Sequence, residues 1–237
     1  MIESYTIQQF DELPSTQDYA HTLMSTGHAK HGQVISAMNQ VRGYGRQKRP
    51  WVGGKGNLAI SIILTPGGSS ANFAQLSYVA GVALRDTISR YVPNAKTELK
   101  WVNDILIDGR KIGGILVEKV GNIAFIGLGA NLVKSAELEK LNACSLADFT
   151  SVPNLPEFLS QLLDNFKHQY NSWKASGLTP IRNQWLQHCK GLGEEITIKF
   201  PKEEISGLFK DISTEGKLIV QTPTGTREVD AGEMYFA

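Results

Sequence analysis

Two tight turns, Asp108-Gly109 and Gly121-Asn122, fall between apolar runs and restrict the middle of this chain to an antiparallel meander. Asp-Gly favours a two-residue hairpin, because positive φ costs little at both central positions. Strands are predicted over 105–107, 111–119 and 123–128, after an extended run at 99–102. Residues 58–64 are nearly all apolar and read as a strand buried on both faces. A shorter strand is predicted at 33–38, and a first strand almost at the N-terminus. Helices frame the meander. Ser15 and Thr16 can cap one that begins near Gln17 and ends at Gly27. Apolar residues at three- and four-residue spacing predict others over 73–91, 155–173 and 179–188. A meander set between helices predicts α+β with a mixed or mostly antiparallel sheet, not alternating βαβ units.

After Gly191 the texture changes to short alternating strands at 195–200, 205–212, 218–222 and 226–229, with turns at Glu215-Gly216 and Thr224-Gly225. This predicts a small β-barrel. A boundary near 189–193 divides the chain into domains 1–189 and 190–237, and 237 residues suffice for one large unit and one small.

The chemistry concentrates in residues 39–57, where five glycines, the cations Arg42, Arg46, Lys48 and Arg49, and Trp51 share nineteen positions. Gly43 and Gly45 let backbone N–H groups turn toward an anion. Arg46 and Arg49 offer planar forks for phosphate oxygens, and Trp51 offers a face for a base. Such a loop suits a nucleotide or an acyl-nucleotide. A solvated turn or a nucleic-acid patch would use the same residues. Net charge is only +1, so the cations are a local feature, which weighs against nucleic acid.

Two distant cysteines, Cys144 and Cys189, show no metal-ligand spacing and suggest a reducing, cytoplasmic setting. The five histidines form no zinc-spaced pair. The N-terminal residues do not read as a secretory signal, and no apolar run reaches membrane-spanning length.

Four segments recur in an informative order: Ser15-Thr16; the loop from Gln40 to Trp51; Lys100-Trp101-Val102-Asn103-Asp104 followed by Lys111-Ile112-Gly113-Gly114-Ile115-Leu116; and Gly127-Leu128-Gly129-Ala130-Asn131. Together with Ala231-Gly232-Glu233-Met234 they resemble the biotin–protein ligase family over essentially the whole chain. The resemblance implies a class II synthetase-like catalytic domain with a C-terminal SH3-like barrel. It implies that biotin and MgATP form biotinyl-5′-AMP, which then acylates one lysine of a biotin carboxyl carrier protein. The early first strand matches the monofunctional type, without a DNA-binding domain, and monomers and homodimers both occur in that type.

Residue by residue, Lys111 matches the family's active-site lysine, which bridges carboxylate and phosphate. Arg46 and Arg49 match arginines that hold phosphates, and Gly43, Tyr44 and Gly45 the backbone between them. Trp51 matches an aromatic that packs on adenine. Asn131 matches an adenine-side contact, with a turn residue as the alternative. Gly127 and Gly129 permit close approach of the ligand. Ser15, Thr16 and Gln40 match the contacts of the biotin ureido group, a role compatible with helix capping. Asp104 would assist deprotonation of the incoming lysine, orient the site, or serve as a structural hydrogen-bond partner. The magnesium ligands are not assigned. Tyr44 stands where many members have a cation, Lys48 where a glycine is common, Val102 for proline and Gln17 for asparagine. The loop over 42–55 is expected to order over bound ligand. The rival enzyme is a lipoate or octanoate ligase, whose arginine-rich loop with a nearby histidine is missing here; a nucleic-acid binder and a catalytically weak biotin-binding protein are the others.

Overall fold

The computed structural model describes residues 1–67 and 70–236. Seven strands form the larger sheet: β1 (Thr6–Leu13), β2 (Gln33–Gln40), β3 (Leu58–Leu64), β4 (Thr97–Lys100), β5 (Asp104–Ile107), β6 (Arg110–Val120) and β7 (Ile123–Ala130), in the order β1-β2-β3-β7-β6-β5-β4. Only β1 and β2 run parallel, and every other neighbour is antiparallel, so the sheet is mixed as the meander predicts. The first strand begins at Thr6, later than its expected start. Between β4 and β5 the chain turns at Trp101, so the run predicted over 99–102 ends two residues early.

Alternation across β3 explains its unbroken apolar run. Leu58, Ile60, Ile62 and Leu64 enter the main core, while Ile63 enters a smaller cluster with Ala20, Ile35 and Phe125. The main core lies beneath α2 (Ser70–Tyr91), α4 (Leu155–Ser176) and α5 (Thr179–Gln187), and the smaller one beneath α1 (Thr16–Ser25). Trp185 of α5 is fully buried against Tyr78 of α2, ring centroids 5.4 Å apart. Truncating such a side chain costs about 3–5 kcal/mol. The short α3 (Ala136–Lys140) follows the sheet and has no counterpart in the sequence pattern.

The second sheet is the expected C-terminal barrel unit. Its antiparallel strands are β8 (Glu195–Lys199), β9 (Glu204–Ile212), β10 (Leu218–Thr222), β11 (Gly225–Val229) and β12 (Glu233–Phe236), ordered β11-β10-β9-β8-β12. Ile196, Ile198 and Phe209 share the main core, and the Lys190 N–H donates to Leu99 O at 2.8 Å. The Tyr78 hydroxyl donates to Gly216 O at 2.7 Å, which fixes the barrel against α2. The strand β12, absent from the sequence reading, pairs with β8 and brings Glu233, with Gly232 just before it, to the mouth of a cavity.

Candidate active site

A β-bulge builds the centre of this cavity. Along the β5–β6 pair, Ile105 faces Gly113 and Leu106 faces Lys111, so Ile112 is the extra residue. Strict alternation would place Lys111 and Gly114 on opposite faces. The bulge puts both on the face away from α2, while Ile112 and Ile115 stay in the main core. Lys111 Nζ thereby reaches Asp104 Oδ1 at 2.6 Å.

The cavity has a volume of about 400 Å³ and lies on the sheet face that α1 flanks. One end is polar and deeply buried. Ser15 is the N-cap of α1, its hydroxyl accepting from Asp18 N at 3.2 Å. Such a cap contributes about 1 kcal/mol. The Thr16 backbone N–H and hydroxyl donate to Gln40 Oε1 at 2.9 and 3.1 Å. The Ser61 hydroxyl lies 2.9 Å from Thr16 Oγ1 and 2.8 Å from Gln17 Oε1, within range to donate to either. Gln17 and Ser61 were not among the sequence candidates; Ser61, the hydroxyl-bearing residue of an otherwise apolar strand, was the available signal.

The glycines have packing reasons. Gly114 and Gly129 are cross-strand partners, and the Trp51 indole lies on them. A Cβ at Gly129 would fall 2.7 Å from the indole ring, and one at Gly114 3.3 Å from it. A Cβ at Gly127 would fall 3.1 Å from Gln17 Oε1. Gln17 and Trp51 thus approach Gly127 and Gly129 closely. Lys111 Nζ lies 5.7 Å from the Trp51 ring centroid, so the ammonium is held between an aromatic face and a carboxylate.

The loop after β2 closes the other end. An isolated bridge joins Tyr44 to Pro50, and a short 3-10 turn spans Arg46–Lys48. Arg46 Nη1 donates to Asn103 Oδ1 at 3.3 Å and to Gly232 O at 3.4 Å, and Arg49 pairs with Glu233. Both arginines are therefore aimed across the mouth toward β12. Lys100, missed by sequence reasoning, is a further cation on the wall. Burial lowers the pKa of its ammonium, Asp104 opposes the shift, and Lys111 and Lys190 add to it. With Arg46, Arg49, Lys100 and Lys111 against Asp104 and Glu233, the wall carries more positive than negative charge.

Ser15, Thr16, Gln40, Tyr44, Gly45, Arg46, Arg49, Trp51, Asp104, Lys111, Gly127 and Gly129 all line this one cavity. Gly43 and Asn131 do not. Gly43 sits behind Gln40, where a Cβ would meet Gln40 Nε2 at 2.1 Å. Asn131 is buried at the end of β7, its Nδ2 donating to Cys144 O at 3.1 Å. Among the described residues no group of three or more His, Cys, Asp or Glu side chains is placed to hold a metal ion, and no helix is long and apolar enough to cross a membrane.

This fold and loop are those of an acyl-transferring ligase, and the chain belongs to the Biotin/lipoate A/B protein ligase family, which residues 10–131 match. Residues 191–237 match the Biotin protein ligase C terminal domain. A biotin–[acetyl-CoA-carboxylase] ligase of Paracoccus denitrificans is 33% identical over 217 residues, covering 85% of this chain and 89% of the relative. The bifunctional ligase/repressor BirA of Bacillus subtilis is 30% identical over 94% of this chain and 72% of its own. The biotin protein ligase of Aquifex aeolicus, solved in complex with biotin and ATP, superposes with a TM-score of 0.85 at 22% identity, covering 100% of this chain and 99% of that one.

Proposed function

We propose that the protein activates biotin with MgATP, forming biotinyl-5′-AMP and pyrophosphate, and transfers the biotinyl group to a lysine of a biotin carboxyl carrier domain. The observation that carries this reading is the polarity of one cavity. Hydroxyl and amide groups of Ser15, Thr16, Gln17, Gln40 and Ser61 gather at one end, and Arg46, Arg49, Lys100 and Lys111 at the other. A ureido ring needs short donors and acceptors at the first end, whereas the dithiolane of lipoate offers them no partner. The second end suits a triphosphate.

The first step brings two anions together, so positive charge near both is the principal requirement. A biotin carboxylate oxygen attacks the α-phosphorus, and the bond to pyrophosphate breaks. Lys111 neutralises the approaching carboxylate and phosphate, while Asp104 keeps its ammonium aimed into the cavity. Arg46 and Arg49 hold the phosphates, and adenine stacks on Trp51. Arg49 exchanges Glu233 for phosphate as the nucleotide enters. A magnesium ion held by the triphosphate would supply further positive charge at this end. In the second step the carrier lysine attacks the acyl carbon and AMP departs, with Asp104 close enough to accept the amine proton through water. The units 1–189 and 190–237 act as two domains in this scheme, the second contributing Gly232 and Glu233. Two free thiols fit a cytoplasmic setting.

Pyrophosphate release from MgATP should depend on biotin and should not be supported by lipoate. Release with lipoate alone would reverse the assignment of the polar end.

A further inference from the structure

The loop bearing Arg46 and Arg49 is tied to the body by a cluster that the reaction itself does not use. The Tyr44 hydroxyl lies 3.0 Å from Asp18 Oδ1 on α1 and 3.4 Å from Glu118 Oε2 on β6, and its proton is shared between them. The Lys48 ammonium sits 3.6 Å from the Tyr44 ring centroid and 3.8 Å from Glu118 Oε1. His21 Nε2, also on α1, lies 2.9 Å from Glu118 Oε2. One loop is thus fastened to two elements through two of its side chains, Tyr44 and Lys48, and two carboxylates, Asp18 and Glu118.

The backbone between these anchors is unusual. Gln47 and Lys48 have φ of 55 and 57, a region that L side chains rarely adopt. A glycine would take it freely, yet this chain has a lysine whose ammonium then reaches both Tyr44 and Glu118. Burial, the hydrogen bond to Asp18 and the charge of Glu118 raise the Tyr44 phenol above its ordinary pKa of 10.0, so it remains a donor at neutral pH.

We infer that Tyr44 is a positioning residue: with Asp18, Glu118 and Lys48 it forms a clasp that holds the 42–50 loop shut over the acyl-adenylate and sets how much of it is lost to water. The inference rests on the proposed function. A biotinyl-adenylate is a mixed anhydride. When water reaches it, the water oxygen attacks the acyl carbon and the acyl–oxygen bond to phosphate breaks. Biotin and AMP then leave as anions, and the protons pass to solvent. The carrier amine makes the same attack productively. The clasp hydroxyl bonds to Asp18 and Glu118 rather than to the reacting groups, so its loss should change the partition between the two attacks more than the rate of adenylation.

The test is Tyr44→Phe, which keeps the ring under Lys48 and removes the hydroxyl. AMP formed without carrier, AMP formed per biotinyl group transferred to a recombinant biotin carboxyl carrier domain, single-turnover adenylation and thermal midpoint are measured on the full chain. Loss of one hydrogen bond should raise wasted AMP roughly fivefold, a larger change than in the single-turnover adenylation rate. Glu118→Gln, which keeps an acceptor but loses the charge facing Lys48 and His21, should also raise it. The double variant should fall short of the product of the two effects. A structural role alone would lower the thermal midpoint and the adenylation rate together and leave the AMP ratio unmoved. An unchanged ratio in Tyr44→Phe, or effects that simply multiply, overturns the clasp while the proposed activity stands. Wild-type protein that releases no pyrophosphate with biotin removes the activity and the clasp with it.

Discussion

Lys111 and Asp104 form a 2.6 Å ion pair across a bulged hairpin, and the bulge at Ile112 allows it. Asp104 faces Gly114 in register, so its carboxylate meets no opposing side chain and is left for the lysine diagonal to it. The pair therefore acts as an aiming device for a cation that must serve two anions in turn. Lys111→Ala should reduce biotin-dependent pyrophosphate release by roughly 10²–10³-fold, the scale of losing one preorganised electrostatic donor. The thermal midpoint should hold, because the side chain is part-exposed and outside the core. Asp104→Asn should cost less, since the ammonium survives but is free to swing. Equal losses in the two variants would assign Asp104 a direct part in adenylation.

The Gly114–Gly129 pair is a seat for Trp51, and Gly129→Ala should dislodge the indole. A Cβ there would stand 2.7 Å from the ring, inside any real contact distance, and β7 cannot yield because it is paired on both sides. Overpacking of this kind costs about 1–3 kcal/mol. The expected result is a raised KM for ATP with a smaller change for biotin, since Trp51 lies at the nucleotide end. Steady-state kinetics with each substrate varied in turn measures it.

Glu118 gives the cluster a pH signature. Burial pushes its carboxyl upward, but hydrogen bonds from His21 and Gln17 and the charges of Lys48 and His21 outweigh this and hold it below the ordinary 4.5. Tyr44 and Asp18 complete its surroundings. A depressed folded-state pKa contributes stability above 4.5 that is lost as pH falls through the folded value. Wild-type protein should therefore exceed Glu118→Gln in thermal midpoint at neutral pH, and the gap should close as pH drops below 4.5. A gap that is constant across that window would mean that the charge of Glu118 contributes nothing.

Much of the fold was legible because its signals are local. Asp108 and Gly109 do take φ of 48 and 79, and the nearly unbroken apolar run of β3 and the helical stripe of α4 fix burial without knowledge of partners. Local signals could not show the bulge, since Ile112-Gly113-Gly114 gives no indication of which residue is skipped. They also could not fix where β1 starts, because it is an edge strand with mostly exposed residues that reads as polar. Gln17 and Ser61 were not given site roles for a related reason: each matters through neighbours more than forty residues away in the chain. Gly127 and Gly129 line the cavity as expected for close approach of a ligand, and they also make room for Gln17 and Trp51.

Gly43 offers the sharpest separation of the two ends of the cavity. It does not line the cavity, yet a Cβ at this position would fall 2.1 Å from Gln40 Nε2 and 3.0 Å from Gln40 Cδ. Its φ lies outside the left-handed region, so Gly43→Ala would act through space rather than backbone strain. The amide of Gln40 would have to leave, and Thr16 would lose the acceptor of both its N–H and its hydroxyl. Two neutral hydrogen bonds at a buried wall are worth about 1–3 kcal/mol together. The KM for biotin should therefore rise roughly tenfold or more, while the KM for ATP changes little because Arg46, Arg49 and Trp51 keep their supports. Equal increases for both substrates would instead mean that Gly43 governs the whole loop, and an unchanged biotin KM would mean that Gln40 is not a ureido contact.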